Sequence, residues 1–222
     1  MGTRTRLTLA EELVLVALDD EAGSLVDLPP FYLELALAAA LVMELSLSGR
    51  IDTDPEKLFV LSSTPTGNAI LDEVLSEICA EPNPLPTKAW LSRLSEYGPA
   101  LGERIIRSLV ERGVLRLAEK RLLWVFKTRV YPPTSGLEER EVKSRVMTLL
   151  NNDEIPDARD ALLIGLLRGT GILNWLLTGA ELDRVRPRID QIAKLEQTSR
   201  ELSQALEELR ISLVSSVQPA VY

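Results

Sequence analysis

Apolar residues recur at helical spacing through most of the chain and predict a mainly α-helical protein. The first stripe, residues 9–17, begins directly after Thr8, and Glu11 three residues later completes the spacing of a capping box. A longer segment, residues 31–47, is apolar on almost every side, which is typical of a helix buried in the core. We therefore expect a single globular helical domain, residues 1–222, around this apolar central helix.

Further stripes extend the helical pattern to the end of the chain. Thr66 and Thr87 each stand before a stripe, and we expect their hydroxyls to cap the helices that follow. The last two stripes repeat with a spacing between three and four residues, which indicates antiparallel core helices or, alternatively, a coiled-coil partner site. The helices predicted after the middle of the chain are 137–150, 158–168, 172–177, 181–195 and 199–213.

Two short β-hairpins interrupt the helices. The first is predicted from residues 51–52 and 58–61, which flank an Asp-Pro turn. The second is predicted from residues 114–117 and 122–126, joined by a charged turn at residues 119–121. Its second strand has apolar residues on both faces, more than a sheet with one buried face needs. This excess indicates a role beyond packing.

The composition argues against an enzyme. The chain has no histidine, which removes the commonest general base and metal ligand. Its one cysteine, Cys79, lies in a helical stripe, so we expect it to be buried, and a lone cysteine fits a reducing compartment. Adjacent carboxylates such as Asp72 and Glu73 point in different directions on a helix. We expect no catalytic residue, no metal site and no cofactor.

We expect neither a signal peptide nor a membrane span. The arginines near the start, Arg4 and Arg6, lead into the acidic pair Glu11 and Glu12 without an apolar region between. The most apolar run, residues 33–47, is shorter than the about 20 residues that a spanning helix needs. With a net charge of -8, the surface as a whole repels nucleic acid and anionic lipid, so binding either requires a local basic patch.

Several segments, in order and with compatible gaps, resemble the Golgi phosphoprotein 3 family. They are LTLAEE at 7–12 with the turn at 19–23, LVMELSLSGRI at 41–51, STPTGNAILDEVL at 63–75 and LVERGVL at 109–115. The resemblance implies a non-enzymatic adaptor. Eukaryotic members are peripheral proteins of the cytosolic face of the Golgi that bind phosphatidylinositol 4-phosphate, glycosyltransferase tails and coat proteins. Oligomers are also known in the family.

The resemblance assigns two elements by position. The family's hydrophobic hairpin, which dips into the bilayer, matches residues 119–126, with flanks at 127–132. The family's headgroup pocket uses a tryptophan and three arginines, and none is present here. The corresponding positions hold Pro29, Ala38, Pro99 and Gly102. The resemblance therefore implies a divergent, bacterial member that lacks the family's phosphoinositide pocket and its basic N-terminal extension.

The second hairpin also has the charge and hydrophobicity of a membrane contact. Six basic residues and one acidic residue between positions 112 and 129 give this stretch a net charge of +5. Each cation near an anionic leaflet contributes about 1 kcal/mol, and Trp124 has a ring that favours the membrane interface. The candidate lipid-binding residues are Arg121, Leu122, Leu123, Trp124, Val125, Phe126, Lys127 and Arg129.

Three interpretations of this hairpin stay open. Its apolar residues insert into a membrane with anionic phospholipid headgroups, or they pack on the helices beneath, or they join two copies of the chain into a homo-oligomer. We expect a cytoplasmic, peripherally membrane-associated protein that also binds cargo tails. The alternative function is a winged-helix-like nucleic-acid-binding protein that uses the basic hairpin, which the net acidity disfavours.

Overall fold

The computed structural model describes residues 6–19, 24–26, 28, 31–54, 57–122 and 126–192. The helices in these ranges are α1 (Leu9–Val16), α2 (Tyr32–Leu47), α3 (Ala69–Ala80), α4 (Thr87–Ser95), α5 (Pro99–Glu111), α6 (Leu137–Asn151), α7 (Ala158–Gly169), α8 (Leu173–Leu176) and α9 (Gly179–Ile192). The strands form two antiparallel hairpins, β1 (Ile51–Thr53) with β2 (Leu58–Val60) and β3 (Ala118–Leu122) with β4 (Phe126–Val130). The predicted mainly α fold with short β-hairpins is confirmed, while the predicted helix 199–213 lies outside the described residues.

Helix α2 is the centre of the core, as its composition predicts. Every residue from Leu35 to Met43 is buried, and so is Leu45. The helix packs against α1, α3, α4, α5, α7 and β1, so it has neighbours on most sides. A helix that is apolar all round must be surrounded in this way, because no face of it is suited to water.

Helix α1 begins where the capping box predicts. The Thr8 hydroxyl accepts a hydrogen bond from the Glu11 backbone N–H at 3.2 Å, and the Thr8 N–H donates to the Glu11 carboxylate at 2.8 Å. All eight residues of α1 are buried, including Glu11 and Glu12. A buried carboxylate is costly unless cations or other donors surround it.

Arg159, on α7, binds the carboxylates of Glu12 on α1 and Glu44 on α2. Its guanidinium donates to Glu12 at 3.2 Å, to Glu44 at 2.9 Å and to the Leu7 carbonyl at 2.6 Å. Burial alone would lower the pKa of Arg159, but the carboxylates of Glu44 and Glu12 outweigh this effect and raise that pKa. One guanidinium therefore ties the start of α1 to α2 and α7.

Arg145, on α6, extends this network to a fourth helix. It donates to Glu12 at 2.8 Å and to Asp160 at 2.7 Å. The Leu9 N–H lies in the first turn of α1 and so has no partner within the helix, and it donates to Glu44 at 2.6 Å. We call Glu12, Glu44, Arg145, Arg159 and Asp160 the buried ion network. The capping pattern in the sequence explains Glu11, but no local pattern indicates the partners of Glu12 on α6 and α7.

The predicted cap of α3 is wrong by two residues. Asn68 is the N-cap, and its side-chain oxygen accepts from the N–H groups of Ile70 and Leu71 at 3.0 and 3.1 Å. The Thr66 hydroxyl instead donates to Asp72 at 2.6 Å. Burial alone would raise the pKa of Asp72, but hydrogen bonds from Thr66 and Gly67 outweigh it and lower that pKa. Thr66 thus shapes the loop rather than the helix end.

Thr87 does not cap α4, contrary to the prediction. Pro86 is the N-cap and Thr87 is the first helical residue. Thr87 is buried, and its hydroxyl has no hydrogen-bond partner among the described residues. An unsatisfied buried hydroxyl costs about 1–3 kcal/mol.

We therefore expect Thr87→Val to raise the free energy of unfolding by about 1 kcal/mol, because it removes this hydroxyl at nearly constant volume. Urea denaturation followed by circular dichroism measures the change. Thr134 is exposed, and Thr134→Val should have little effect. A less stable Thr87→Val protein would show that the hydroxyl has a favourable partner.

Cys79 is exposed, so the prediction of a buried cysteine is wrong. The buried face of α3 is formed by Leu71, Val74, Leu75 and Ile78. Successive helical residues are rotated by about 100°, so Cys79 lies beside this face rather than on it. Proximity in sequence to Ile78 was therefore a poor guide to its burial.

Candidate functional site

The second hairpin is present, but its turn lies further along the chain than predicted. Strands β3 and β4 pair with Glu119 opposite Arg129, Arg121 opposite Lys127, and Leu122 opposite Phe126. The residues predicted to form the turn, 119–121, are therefore part of a strand. The residues between the strands are Leu123, Trp124 and Val125, which lie outside the described residues.

The segment predicted as the first strand, residues 114–117, completes the end of α5 and also pairs with residues 132–134 at the base of the hairpin. Gly113 has φ = +73°, a left-handed conformation that ends a helix at little cost for glycine. The Val114 and Leu115 N–H groups then both donate to the Leu109 carbonyl, at 2.9 and 3.2 Å. Both side chains are buried. Core burial and strand pairing therefore occur in the same segment, and the ladder continues from it into β3 and β4.

Arg112 does not contribute to the hairpin's positive charge. Its guanidinium donates to the buried carboxylate of Glu11, which also accepts from the Ser108 hydroxyl at 3.0 Å. One of the six basic residues between positions 112 and 129, Arg112, therefore has its charge balanced by Glu11. Arg116 is exposed. The other basic residues of the stretch, Lys120, Arg121, Lys127 and Arg129, lie on the two strands.

The hairpin leaves the body at the C-terminal end of α5 and turns back along that helix. Its base is held by Arg116 N–H donating to the Pro132 carbonyl at 3.0 Å and Thr134 N–H donating to the Val114 carbonyl at 2.9 Å. One step further out, Leu117 and Tyr131 line a cleft of about 150 Å³ with Arg107 and other α5 residues. Leu117 is 59% exposed. From the end of α5 the chain therefore runs back along that helix as far as Leu117 and Tyr131, in the direction of the start of α5.

Two of the four positions that the resemblance assigns to a headgroup pocket are buried in the apolar core. They are Ala38 on α2, which is fully buried, and Gly102 on α5. A Cβ atom on Gly102 would lie 3.6 Å from the Leu37 side chain, which is ordinary packing contact between α2 and α5. Pro99 is exposed at the start of α5, and Pro29 lies outside the described residues. The three described positions therefore offer no cation to a phosphate.

An apolar groove of about 390 Å³, which we call the α8 groove, lies beside α8. The sequence did not predict it. Its lining residues are Val16, Leu18, Asp19, Val26, Lys143, Val146, Met147, Leu173, Trp175, Leu176 and Leu177. The Lys143 ammonium donates to the Leu18 carbonyl at 2.6 Å and to Glu139 at 2.8 Å. Trp175 is 50% exposed. This tryptophan in the predicted helix 172–177 is the feature of the sequence that could have indicated the groove.

The described residues bear on two further kinds of site, a metal centre and a membrane-spanning helix. No group of three or more Cys, Asp or Glu side chains in that part of the chain is arranged to hold a metal ion. Among the helices of those same residues, none has the length and hydrophobicity required to span a membrane. Neither result bears on the hairpin, whose five described candidate residues, Arg121, Leu122, Phe126, Lys127 and Arg129, lie on the two strands.

Comparison with known proteins agrees with this architecture. The family model for Golgi phosphoprotein 3 (GPP34) matches residues 9–209. The vacuolar protein sorting-associated protein 74 of Eremothecium gossypii is 31% identical over 165 residues, which cover 65% of this chain and 49% of the relative. The matched region thus spans about half the length of that relative. Since the family model covers most of the sequence, the chain belongs to the Golgi phosphoprotein 3 family.

Proposed function

We propose that this chain is a non-enzymatic, peripheral membrane-binding or adaptor protein of the Golgi phosphoprotein 3 type. It acts as one domain on the cytoplasmic side of a membrane, and the β3–β4 hairpin contacts the anionic surface. The observation that carries the proposal is the register of this hairpin. It pairs Arg121 with Lys127 beside the pair Leu122 and Phe126, next to the segment that contains Trp124.

The charges of the hairpin favour an anionic partner. Like charges at directly opposite positions destabilise an antiparallel pair, and Arg121 opposite Lys127 is such a pair. Acidic headgroups would relieve this repulsion while gaining about 1 kcal/mol for each nearby cation. The rest of the protein is acidic, with a net charge of -8 for the whole chain. The uneven charge distribution orients the hairpin toward an anionic leaflet.

Lipid recognition is proposed to depend on charge rather than on one headgroup. A specific phosphoinositide site needs cations at fixed positions around the phosphate, and Ala38, Pro99 and Gly102 cannot supply them. Binding through a basic, apolar hairpin is reversible and weakens as salt concentration rises. We infer that acidic phospholipids in general, rather than phosphatidylinositol 4-phosphate alone, recruit the protein.

A winged-helix-like nucleic-acid-binding protein is the alternative. Helix α5 would be its recognition helix, and such a helix needs cations free to meet phosphates. Arg104 is instead paired with Glu73, and this contact raises the pKa of Arg104. Arg107 is flanked by Glu103 and Glu111 one helical turn away on either side. These carboxylates on α5 disfavour duplex DNA as the partner.

The proposal is tested by flotation with phosphatidylcholine vesicles that do or do not contain phosphatidylglycerol. We expect binding only when the anionic lipid is present. Arg121→Glu with Lys127→Glu removes two favourable cations, so vesicle affinity should fall by roughly 30-fold or more at low salt. Recovery of protein in the floated fraction gives the affinity.

The control carries the same change of charge elsewhere. Arg184 and Arg186 are exposed on α9, and reversing both should leave most of the vesicle binding intact. Equal losses in the two double variants would mean that net charge, not the hairpin, determines binding. Duplex DNA is tested in parallel by gel shift. DNA binding without vesicle binding would contradict the proposal and favour the alternative.

A further inference from the structure

Half-exposed aromatic side chains lie on two elements that adjoin at one end of the protein. Phe31, which precedes α2, is 54% exposed, and Trp175 on α8 is 50% exposed. These elements adjoin, because a Cβ atom on Gly171 would lie 3.9 Å from the Tyr32 ring and 3.4 Å from the Asn174 amide. We call Phe31, Tyr32 and Trp175 the aromatic surface.

The α8 groove opens beside this surface. Trp175 lines the groove together with Met147, Leu176 and Leu177. The ammonium of Lys143, also in the lining, is neutralised by Glu139 and solvated by the Leu18 carbonyl. The groove therefore presents mostly hydrocarbon and one ring to the outside, and the exposed carboxylate of Asp19 at its edge is the other charged group of the lining.

The aromatic surface lies at the end of the protein toward which the hairpin extends. Helices α2 and α5 run in the same direction, because Leu37 meets Gly102 and Leu41 lines a small pocket with Ile105. Phe31 is therefore at the same end as the start of α5. The hairpin runs back along α5 toward that end. A flat partner that contacts the hairpin would thus also approach the aromatic surface.

We propose that the aromatic surface and the α8 groove form a second contact with the lipid bilayer. This inference rests on the proposed membrane function and adds a site to it. Tyrosine and tryptophan rings favour the level of the headgroups, where an apolar body and a polar tip are both satisfied. Phe31 and Trp175 enter this layer, and part of an acyl chain occupies the groove. Two separated contacts fix the orientation of the protein on the membrane, which a hairpin alone does not.

Tryptophan fluorescence separates the two contacts. The chain has three tryptophans, and Trp90 is 1% exposed, so it serves as an internal reference in every variant. Trp124→Phe leaves Trp175 as the reporter, Trp175→Phe leaves Trp124, and the double variant leaves Trp90 alone. Each is mixed with phosphatidylcholine and phosphatidylglycerol vesicles, with or without brominated acyl chains that quench nearby tryptophans.

We expect brominated vesicles to quench the Trp124→Phe variant and to leave the double variant unchanged. Quenching of Trp124→Phe without quenching of Trp175→Phe would support the second contact and contradict the hairpin. Quenching of Trp175→Phe alone would overturn the second contact and leave the hairpin in place; a protein partner would then be the occupant of the groove. No quenching in any variant, with no flotation, would overturn both proposals.

Vesicle affinity provides a second measurement. Phe31→Ser with Trp175→Ser should lower the vesicle partition coefficient by about tenfold, because two half-exposed rings lose their transfer into the interface. Ile155 is 88% exposed at the other end of α7 from α8, so Ile155→Ser removes apolar surface away from the proposed contact. The second contact is overturned if the partition coefficient of the double variant equals that of Ile155→Ser.

Discussion

Replacing Arg159 by methionine should lower the free energy of unfolding by about 3–5 kcal/mol, because it removes the buried cation that the carboxylates of Glu12 and Glu44 share and leaves Arg145 as the cation bound to Glu12. Glu12 is 3% exposed, and both it and Glu44 accept a hydrogen bond from this guanidinium. Methionine has an unbranched chain that fills irregular space, so the loss of packing is small. Urea denaturation followed by circular dichroism measures the effect as a lower midpoint at an unchanged slope.

Two comparisons identify the cause. Arg186 makes an exposed ion pair with Asp183 on α9, so Arg186→Met should cost no more than about 0.5 kcal/mol. Adding Glu12→Gln and Glu44→Gln to Arg159→Met removes the stranded charges and should restore part of the stability. A loss below about 1 kcal/mol for Arg159→Met would mean that water solvates the carboxylates and that the buried ion network is not what joins the four helices.

Ala38→Arg should destabilise the protein by about 3 kcal/mol or more, because an arginine buried without a partner must desolvate its charge. This substitution restores the residue type that the family has in its headgroup pocket. Ala38 is fully buried here, in the middle of a stretch of α2 that is buried from Leu35 to Met43. Thermal and urea unfolding, with and without soluble inositol phosphate, measure the effect.

Leu47→Arg is the matched control, since it adds the same side chain to the same helix. Leu47 is 38% exposed in the last turn of α2, where a cation interacts favourably with the helix dipole. It should change stability by less than about 0.5 kcal/mol. If Ala38→Arg folds normally and gains inositol phosphate binding, the pocket is intact and only its cation is absent, contrary to the packing described here.

Local hydrogen-bonding chemistry was predictable from the sequence only where the partner is also local. The capping box of Thr8 and Glu11 was predicted correctly because both of its hydrogen bonds join residues three positions apart. The caps at Thr66 and Thr87 were predicted wrongly because other candidates lie within two residues. Asn68 accepts two N–H groups where Thr66 was expected to act, and the hydroxyl of Thr66 has Asp72 as a better acceptor.

The candidate site shows the same limit. The sequence predicts a basic, apolar hairpin, but the pairing depends on which apolar residues the core takes. Val114 and Leu115 are buried against the end of α5 and also pair at the base of the hairpin, and the ladder extends to Leu122 and Phe126, with residues 123–125 between the strands. Arg112 was counted with the hairpin because of its position, whereas its partner Glu11 lies 101 residues earlier in the chain. Neither contact has a local signal.

By itself the sequence determined the helical class, the buried central helix, the start of α1, the presence of two hairpins and the family. Each of these depends on periodicity, on short-range hydrogen bonds or on similarity along the chain. Only the tertiary structure decided the buried ion network, the hairpin register, the burial of Ala38 and Gly102, and the α8 groove. These depend on residues far apart in sequence that meet because the core must enclose apolar surface and supply every buried charge with a partner.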